Sequence, residues 1–166
     1  MPIQADYLIR RADVRDIPDF IDLRARMFEE VGFDDIASMT AASQEYFARA
    51  IPSGEFVALV AVSSDETIVG SAGIAAYTLP PKPLEPSGRF GYISSMYVLP
   101  DQRKRGIAQR LLDALITTAD DMDLVWVTLH ASEMGRPLYE RSGFGSWNEM
   151  GLHIPTAVAG RNTAQP

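Results

Sequence analysis

Three basic residues, Arg103-Lys104-Arg105, lie directly before Gly106 and the apolar stripe of an amphipathic helix. Residues 90–99, ahead of them, have the composition of a strand, so the predicted order is strand, basic loop, helix. A helix that begins on such a loop presents unpaired backbone N–H groups and the positive end of its dipole, and both bind phosphate. The segment therefore predicts a site for a ligand that carries phosphate.

The charge of this loop is a local feature, because the 166-residue chain as a whole has a net charge of -7. A small basic cluster on an acidic protein favours one anionic ligand over a long polyanion, so we expect no nucleic-acid partner. The loop does not match the nucleotide P-loop, which requires G-x-x-x-x-G-K-S/T. It also lacks the three-glycine spacing of a dinucleotide fingerprint.

The composition excludes several other kinds of chemistry. The chain has no cysteine, which rules out a thiol nucleophile, a disulfide scaffold and a Cys-ligated metal. Its two histidines, His130 and His153, form no His-rich pattern, so we expect no metal site. No segment approaches the ~20 apolar residues that span a bilayer, and the first residues do not read as a secretory signal. We therefore expect a cytoplasmic protein without a membrane partner.

The elements that must position the loop follow from apolar periodicity and turn residues. A hydrophobic fraction of 46% and a charged fraction of 22% indicate a globular chain. We expect a single α/β domain over residues 1–154 and a frayed tail over residues 155–166. The predicted elements are a strand at 7–10, a helix that Asp16 caps and Gly32 ends, a helix at 38–50, a hairpin of strands 56–62 and 67–77, a proline-rich loop at 79–89, a strand at 90–99, a helix at 107–121, a strand at 124–130, a helix at 137–141, and one or two strands at 144–154.

A second motif, Leu138-Tyr139-Glu140-Arg141-Ser142-Gly143-Phe144, follows the basic loop after one predicted helix and one predicted strand. Together with Tyr97-Val98-Leu99-Pro100 and the basic loop, it resembles the two signatures of the GNAT superfamily of acyl-CoA-dependent N-acetyltransferases. The resemblance covers almost the whole chain. It implies a GNAT fold, in which helices flank a mixed central sheet that is splayed between the fourth and fifth strands.

The resemblance also implies how acetyl-CoA, the cosubstrate of this family, would bind. The loop would hold the pyrophosphate through its backbone amides and basic side chains, and the strand before it would pair with the pantetheine arm like an added strand. Ser132 stands where the family frequently has an asparagine. The implied coenzyme-binding residues are Met96, Val98, Arg103, Lys104, Arg105, Gly106, Ile107, Ala108 and Ser132.

Tyr139 occupies the position at which the family often places the general acid that protonates the departing thiolate. The implied reaction is acetyl transfer to a primary amine by direct attack in a ternary complex. The general base stays open between Glu29, Glu30 and a water relay, whereas His130 fits a structural role better than a catalytic one. No metal takes part in this chemistry.

Two other functions are compatible with the sequence. The chain could be an acyl-CoA-binding sensor or a non-catalytic interaction module on the same fold, or a phosphate-binding domain unrelated to coenzyme A. The acceptor is also open among polyamines, aminoglycoside-like molecules, amino acids and protein amines, although the acidic surface favours a cationic amine by steering. A homodimer is neither indicated nor excluded.

Overall fold

The computed structural model describes residues 7–152. Its helices and strands follow the predicted order up to the last helix. In chain order they are β1 (Leu8–Arg11), a 3-10 turn (Val14–Asp16), α1 (Ile17–Glu30), α2 (Ile36–Ser53), β2 (Phe56–Val62), β3 (Ile68–Thr78), β4 (Arg89–Val98), a 3-10 turn (Pro100–Gln102), α3 (Ile107–Asp121), β5 (Trp126–Leu129) and α4 (Arg136–Arg141).

The five strands form one mixed sheet in the order β1-β2-β3-β4-β5. The first four strands pair antiparallel, and β5 runs parallel to β4. The parallel pairing extends only from Phe90–Trp126 to Ile93–Leu129, although β4 continues to Val98. The sheet therefore opens beyond Ile93, which confirms the predicted splay between the fourth and fifth strands.

A β-bulge in β4 lies where the sheet opens. The pairing with β3 passes from Gly73–Ser94 to Ser71–Tyr97, which leaves an extra residue on β4. Within this bulge Ser95 has a left-handed φ of +57°. Ile93 packs in the core beneath α3, whereas Tyr97, four residues later, contacts α1. Regular alternation would put both side chains on one face, so the bulge changes the face that β4 presents.

Each face of the sheet is covered by helix, as expected when both faces bury apolar side chains. The apolar stripe of α3 packs on one face, and α1 with α2 packs on the other. Tyr139 of α4 packs on the same face of the sheet as α3. No helix within the described part of the chain is long and apolar enough to cross a membrane.

Gly73 is required by the aromatic cluster beneath α1 and α2. A Cβ added at Gly73 would lie 2.1 Å from Cζ of Phe56. The Phe56 ring cannot yield easily, because it packs at 5.0 Å from the ring of Phe47 and at 6.0 Å from that of Phe20. We expect Gly73→Ala to lower the free energy of unfolding by roughly 2–3 kcal/mol, measured by urea denaturation.

Gly145→Ala is the matched control for this prediction, since nothing lies within 4 Å of a Cβ added there. Its free energy of unfolding should stay within about 0.5 kcal/mol of that of the wild type. Equal stability of the two variants would contradict the close packing of Phe56 on Gly73.

The helix boundaries differ from the prediction in two places. Asp16 precedes α1 but does not cap it, because its carboxylate accepts hydrogen bonds from Arg10 and from the Asp13 backbone N–H. The second helix is longer than the predicted 38–50 and ends at Gly54, which has a left-handed φ of +76°. The helix nevertheless continues through Pro52, although proline donates no backbone hydrogen bond and its ring crowds the preceding turn.

The final strand predicted for residues 144–154 is wrong over the described part, since residues 144–152 contain no strand. Between Gly145 and Gly151 the apolar residues Trp147 and Met150 are separated by polar residues, and Met150 is 99% exposed. Glycine and polar residues have low strand propensity, so the few apolar side chains in this segment do not stabilise a strand. The end of this segment at 153–154, the tail predicted for 155–166 and residues 1–6 lie outside the described residues.

Candidate active site

A cleft of about 370 Å³ lies between the end of β4, the start of α3 and α4. Its lining includes every residue implied to bind coenzyme A except Arg105, together with Tyr139. The charged side chains that line it are Arg103, Lys104 and Arg141, and no carboxylate lines it in the part of the chain described. The side chains that line this cleft are therefore positive although the protein is acidic, which favours an anionic ligand.

The loop before α3, beside this cleft, contains a row of unpaired backbone donors. Both Lys104 and Gly106 have a left-handed φ, of +60° and +79°. The N–H groups of residues 104–109 donate to no acceptor within residues 7–152, and no side chain caps α3. Consecutive N–H groups in such a loop, at a helix N-terminus, form a concave site for an anion.

Lys104 combines an unfavourable backbone with an available charge. A left-handed conformation costs a non-glycine residue roughly 1–2 kcal/mol. The Lys104 ammonium forms no salt bridge within the described residues, so it is free to pair with a phosphate.

Arg103 is held in a network that joins the loop to the end of α1. Its Nη1 and Nη2 donate to the two carboxylate oxygens of Glu30, at 2.8 and 2.7 Å. Its Nε donates to the Val98 carbonyl at 2.9 Å, and its guanidinium lies 5.3 Å from the centre of the Tyr97 ring. The Tyr97 hydroxyl donates to Glu30 at 2.9 Å. Arg103 thus fixes the loop against β4 and α1, and a side-chain contact to phosphate stays a prediction.

The same contacts bear on Glu30 as a candidate base. The hydrogen bonds from Arg103, followed by that from Tyr97, hold the pKa of the Glu30 carboxyl below its usual value. A carboxylate stabilised in this way accepts a proton poorly, so Glu30 is better suited to orient Arg103 than to act as a general base. Its neighbour Glu29 is exposed.

The Glu30–Arg103 pair should make stability depend on pH. Because the folded-state pKa of Glu30 is lowered, its contribution is present above the unfolded pKa of about 4.3 and is lost as pH falls through the folded value. We expect Glu30→Gln to lower the free energy of unfolding by up to about 1 kcal/mol at neutral pH, and by progressively less in acid.

Urea denaturation of wild type and Glu30→Gln across this pH range measures the difference. Glu29→Gln is the control and should match the wild type at every pH, because Glu29 forms no salt bridge within the described residues. A difference between Glu30→Gln and wild type that did not shrink in acid would contradict the assignment of the effect to the Glu30 charge.

Arg105 lies outside the cleft lining. Its Nη1 donates to the Tyr7 hydroxyl at 3.1 Å and its Nη2 to the Asp101 carbonyl at 3.2 Å, so it supports the loop from the side of β1. A phosphate contact by Arg105 therefore stays a prediction. Arg141 also lines the cleft, although the sequence did not identify it as a site residue. Its position in the second motif, two residues after Tyr139, is the feature that could have identified it.

Tyr139 is buried and reaches the cleft from α4. Its ring meets Phe144 edge-on at 5.9 Å, and a Cβ added at Gly135 would lie 3.2 Å from its Cε2. Burial raises the pKa of the Tyr139 hydroxyl. The hydroxyl therefore carries its proton at neutral pH and is available as a donor.

Ser132 begins the turn that leads into α4. Its Oγ accepts a hydrogen bond from the Gly135 N–H at 3.1 Å, and its carbonyl accepts from the Arg136 N–H at 2.9 Å. Ser132 also lines the cleft, so its hydroxyl hydrogen is available to a ligand.

The open edge of β4 forms one wall of the cleft. Pairing with β5 ends at Ile93, and Met96 and Val98 beyond it line the cleft. The Val98 carbonyl already accepts from Arg103 and retains a second lone pair. An extended ligand can pair with this edge in the way that an added strand does. Within residues 7–152, no group of three or more metal-ligating side chains lies together.

Comparison with known proteins agrees with this geometry. The model of the acetyltransferase (GNAT) family matches residues 17–144. The structure is similar to that of a predicted acetyltransferase from Clostridium acetobutylicum with acetyl-CoA, with a TM-score of 0.83 and 30% identity over 90% of this chain and 96% of that chain. A GCN5-related N-acetyltransferase from Ralstonia eutropha JMP134 has a TM-score of 0.82 and 28% identity, over 90% of this chain and 99% of that chain.

No curated protein matches the chain at a significant level. The family match nevertheless spans most of the sequence, including α1, the basic loop and Tyr139. The mixed sheet that opens beside β4 is the architecture that the family resemblance implied. The chain therefore belongs to the GNAT family of acetyltransferases.

Proposed function

We propose that this protein transfers the acetyl group of acetyl-CoA to a primary amine, by direct attack in a ternary complex. The observation that carries the proposal is the cleft with unpaired N–H groups at residues 104–109, three cations and no lining carboxylate among the described residues. The similar structure from Clostridium acetobutylicum, which is a complex with acetyl-CoA, supports the identity of the anion.

The loop fits the pyrophosphate of coenzyme A in shape and charge. A Cβ added at Gly106 would meet nothing within 4 Å, so the space above this residue is open. Lys104 and Arg141 border the cleft and can neutralise phosphate charge, and the unpaired N–H groups at the start of α3 adjoin it. The pantetheine arm would then lie along the edge of β4 at Met96 and Val98.

Acetyl-CoA supplies a thioester whose carbonyl carbon an uncharged amine can attack, with loss of a thiolate. The cleft contributes by holding both reactants in one place, which removes much of the entropic barrier. Backbone N–H groups at the opening of the sheet stabilise the negative charge that develops on the thioester oxygen. Tyr139 donates its proton to the departing sulfur, and Glu29 or a water relay accepts the proton of the amine.

The test is an assay of the purified full chain with acetyl-CoA and a panel of primary amines. We expect free thiol to appear in equal amount to the acetylated amine, measured by a thiol reagent and by mass spectrometry. Acetyl-CoA binding without thiol release from any amine would contradict the proposal. That result would favour an acyl-CoA-binding sensor or a non-catalytic interaction module on this fold.

A further inference from the structure

Arg24, on α1, carries a half-buried positive charge that no carboxylate balances. Within residues 7–152 it takes part in no salt bridge, and its buried Nε has no hydrogen-bond partner. Its Nη1 donates to the Ser95 hydroxyl at 2.8 Å, and its guanidinium lies 4.9 Å from the centre of the Phe28 ring. Withdrawing a charge from water without a counterion is costly, so such a charge marks a site for a negative group.

The polar groups near Arg24 are hydroxyls from Ser95 and two tyrosines. Tyr46 of α2 and Tyr92 of β4 are the titratable groups within electrostatic reach of the guanidinium, and Ser95 bonds to it directly. A neutral hydroxyl donates a hydrogen bond without cancelling the charge of an arginine. A guanidinium that bonds to the Ser95 hydroxyl and lies near the side chains of Tyr46 and Tyr92 suits an anion with several oxygen lone pairs.

This donor group adjoins the opening in the sheet. Ser95 is the bulge residue next to Met96, and Met96 lines the cleft proposed for acetyl-CoA. Arg24 approaches Ser95 from α1, whereas the phosphate loop leads into α3 on the opposite face of the sheet. A second substrate that enters from the side of α1 would therefore meet the thioester at the bulge, with Arg24 beside it.

We propose that the amine acceptor carries an oxyanion, a carboxylate or a phosphate, which Arg24 binds together with the hydroxyls of Tyr46, Tyr92 and Ser95. This inference rests on the proposed acetyl transfer and narrows its acceptors. The net charge of -7 attracts amines in general, and Arg24 selects those that also bear an anion. Amino acids and amino phosphates thus fit the site better than polyamines or aminoglycosides.

Matched pairs of acceptors test the inference. Each L-amino acid is compared with its carboxamide, and O-phosphoethanolamine is compared with ethanolamine, so that the two pairs distinguish carboxylate from phosphate. Thiol release gives kcat and KM for each compound. Calorimetry with protein that is saturated with free coenzyme A gives the affinity of each compound in the absence of turnover. We expect the wild type to favour the anionic member of at least one pair by roughly 10- to 100-fold in kcat/KM.

Arg24→Gln should lose this preference, mainly through KM, and Arg24→Lys should recover part of it. Arg26→Gln is the control on the same helix, because Arg26 is exposed and pairs with Asp22 at 2.8 Å. It should retain the wild-type preference. Acetyl-CoA affinity, measured for each variant, should stay at the wild-type value and shows that the variant is folded. If Arg24→Gln does not fold, the inference is still tested by the preference of the wild type for the anionic members and by its partial loss in Arg24→Lys.

Acetyl transfer without preference for the anionic members, or a preference that survives in Arg24→Gln, would overturn the inference and leave the proposed function intact. Anionic compounds that bind to wild type but not to Arg24→Gln, without thiol release, would uphold the anion site and overturn the transfer reaction. Absence of both binding and transfer would overturn both.

Discussion

Gly106→Glu should abolish acetyl-CoA binding. Gly106 has a φ of +79°, and the space at its Cβ position is empty to 4 Å. A glutamate would strain the loop and would place a carboxylate where the pyrophosphate is proposed to lie. Because opposed like charges cost several kcal/mol, we expect the dissociation constant to rise by at least about 100-fold, measured by calorimetry.

Gly106→Ala separates the charge from the backbone strain. Alanine imposes the same left-handed strain, roughly 1–2 kcal/mol, but adds no charge and meets no neighbour within 4 Å. Its free energy of unfolding should match that of Gly106→Glu, while its acetyl-CoA affinity should fall much less. Wild-type affinity in Gly106→Glu would show that the loop does not hold the pyrophosphate.

Tyr139→Phe should lower kcat by roughly 100-fold or more, because general acid catalysis typically contributes 10²–10⁴-fold. The ring is buried against Phe144 and Gly135, and phenylalanine preserves those contacts. The Tyr139 hydroxyl forms no hydrogen bond within the described residues, so its removal leaves no buried partner unsatisfied. Stability and acetyl-CoA affinity should therefore change little.

Steady-state kinetics at saturating acceptor, together with calorimetry of acetyl-CoA, separates these effects. Tyr77→Phe, on the exposed end of β3, is the control and should behave as the wild type. An unchanged kcat in Tyr139→Phe would refute the role of Tyr139 as general acid. An equal loss in kcat and in acetyl-CoA affinity would assign it to binding instead.

Local sequence patterns predicted the parts of the site that are local in the chain. The loop from Arg103 to Ala108 is a turn followed by a helix start, and the second motif is the end of a short helix with the turn after it, so both are visible in consecutive residues. The opening of the sheet beside β4 was predicted only from the family resemblance. Periodicity alone does not predict where two strands stop pairing.

Contacts between distant residues could not be predicted in this way. Glu30 and Arg103 are separated by 73 positions, and Arg24 and Ser95 by 71, so only the folded chain brings them together. The pairing of Arg103 with Glu30 also depends on the face of Tyr97, which the bulge in β4 sets. The strand or two predicted for residues 144–154 are absent from the described part, 144–152, for a related reason, since apolar residues scattered among glycine and polar residues do not determine a pairing partner.

The central claim is that the cleft beside Gly106 binds acetyl-CoA through its pyrophosphate. The most direct measurement is calorimetric titration of the full chain with acetyl-CoA, with free coenzyme A and with S-acetylpantetheine, which lacks the pyrophosphate together with the adenosine 3′-phosphate. We predict similar affinities for the first two and a loss of at least about 100-fold for the third. No binding of acetyl-CoA, or equal affinity for S-acetylpantetheine, would contradict the claim.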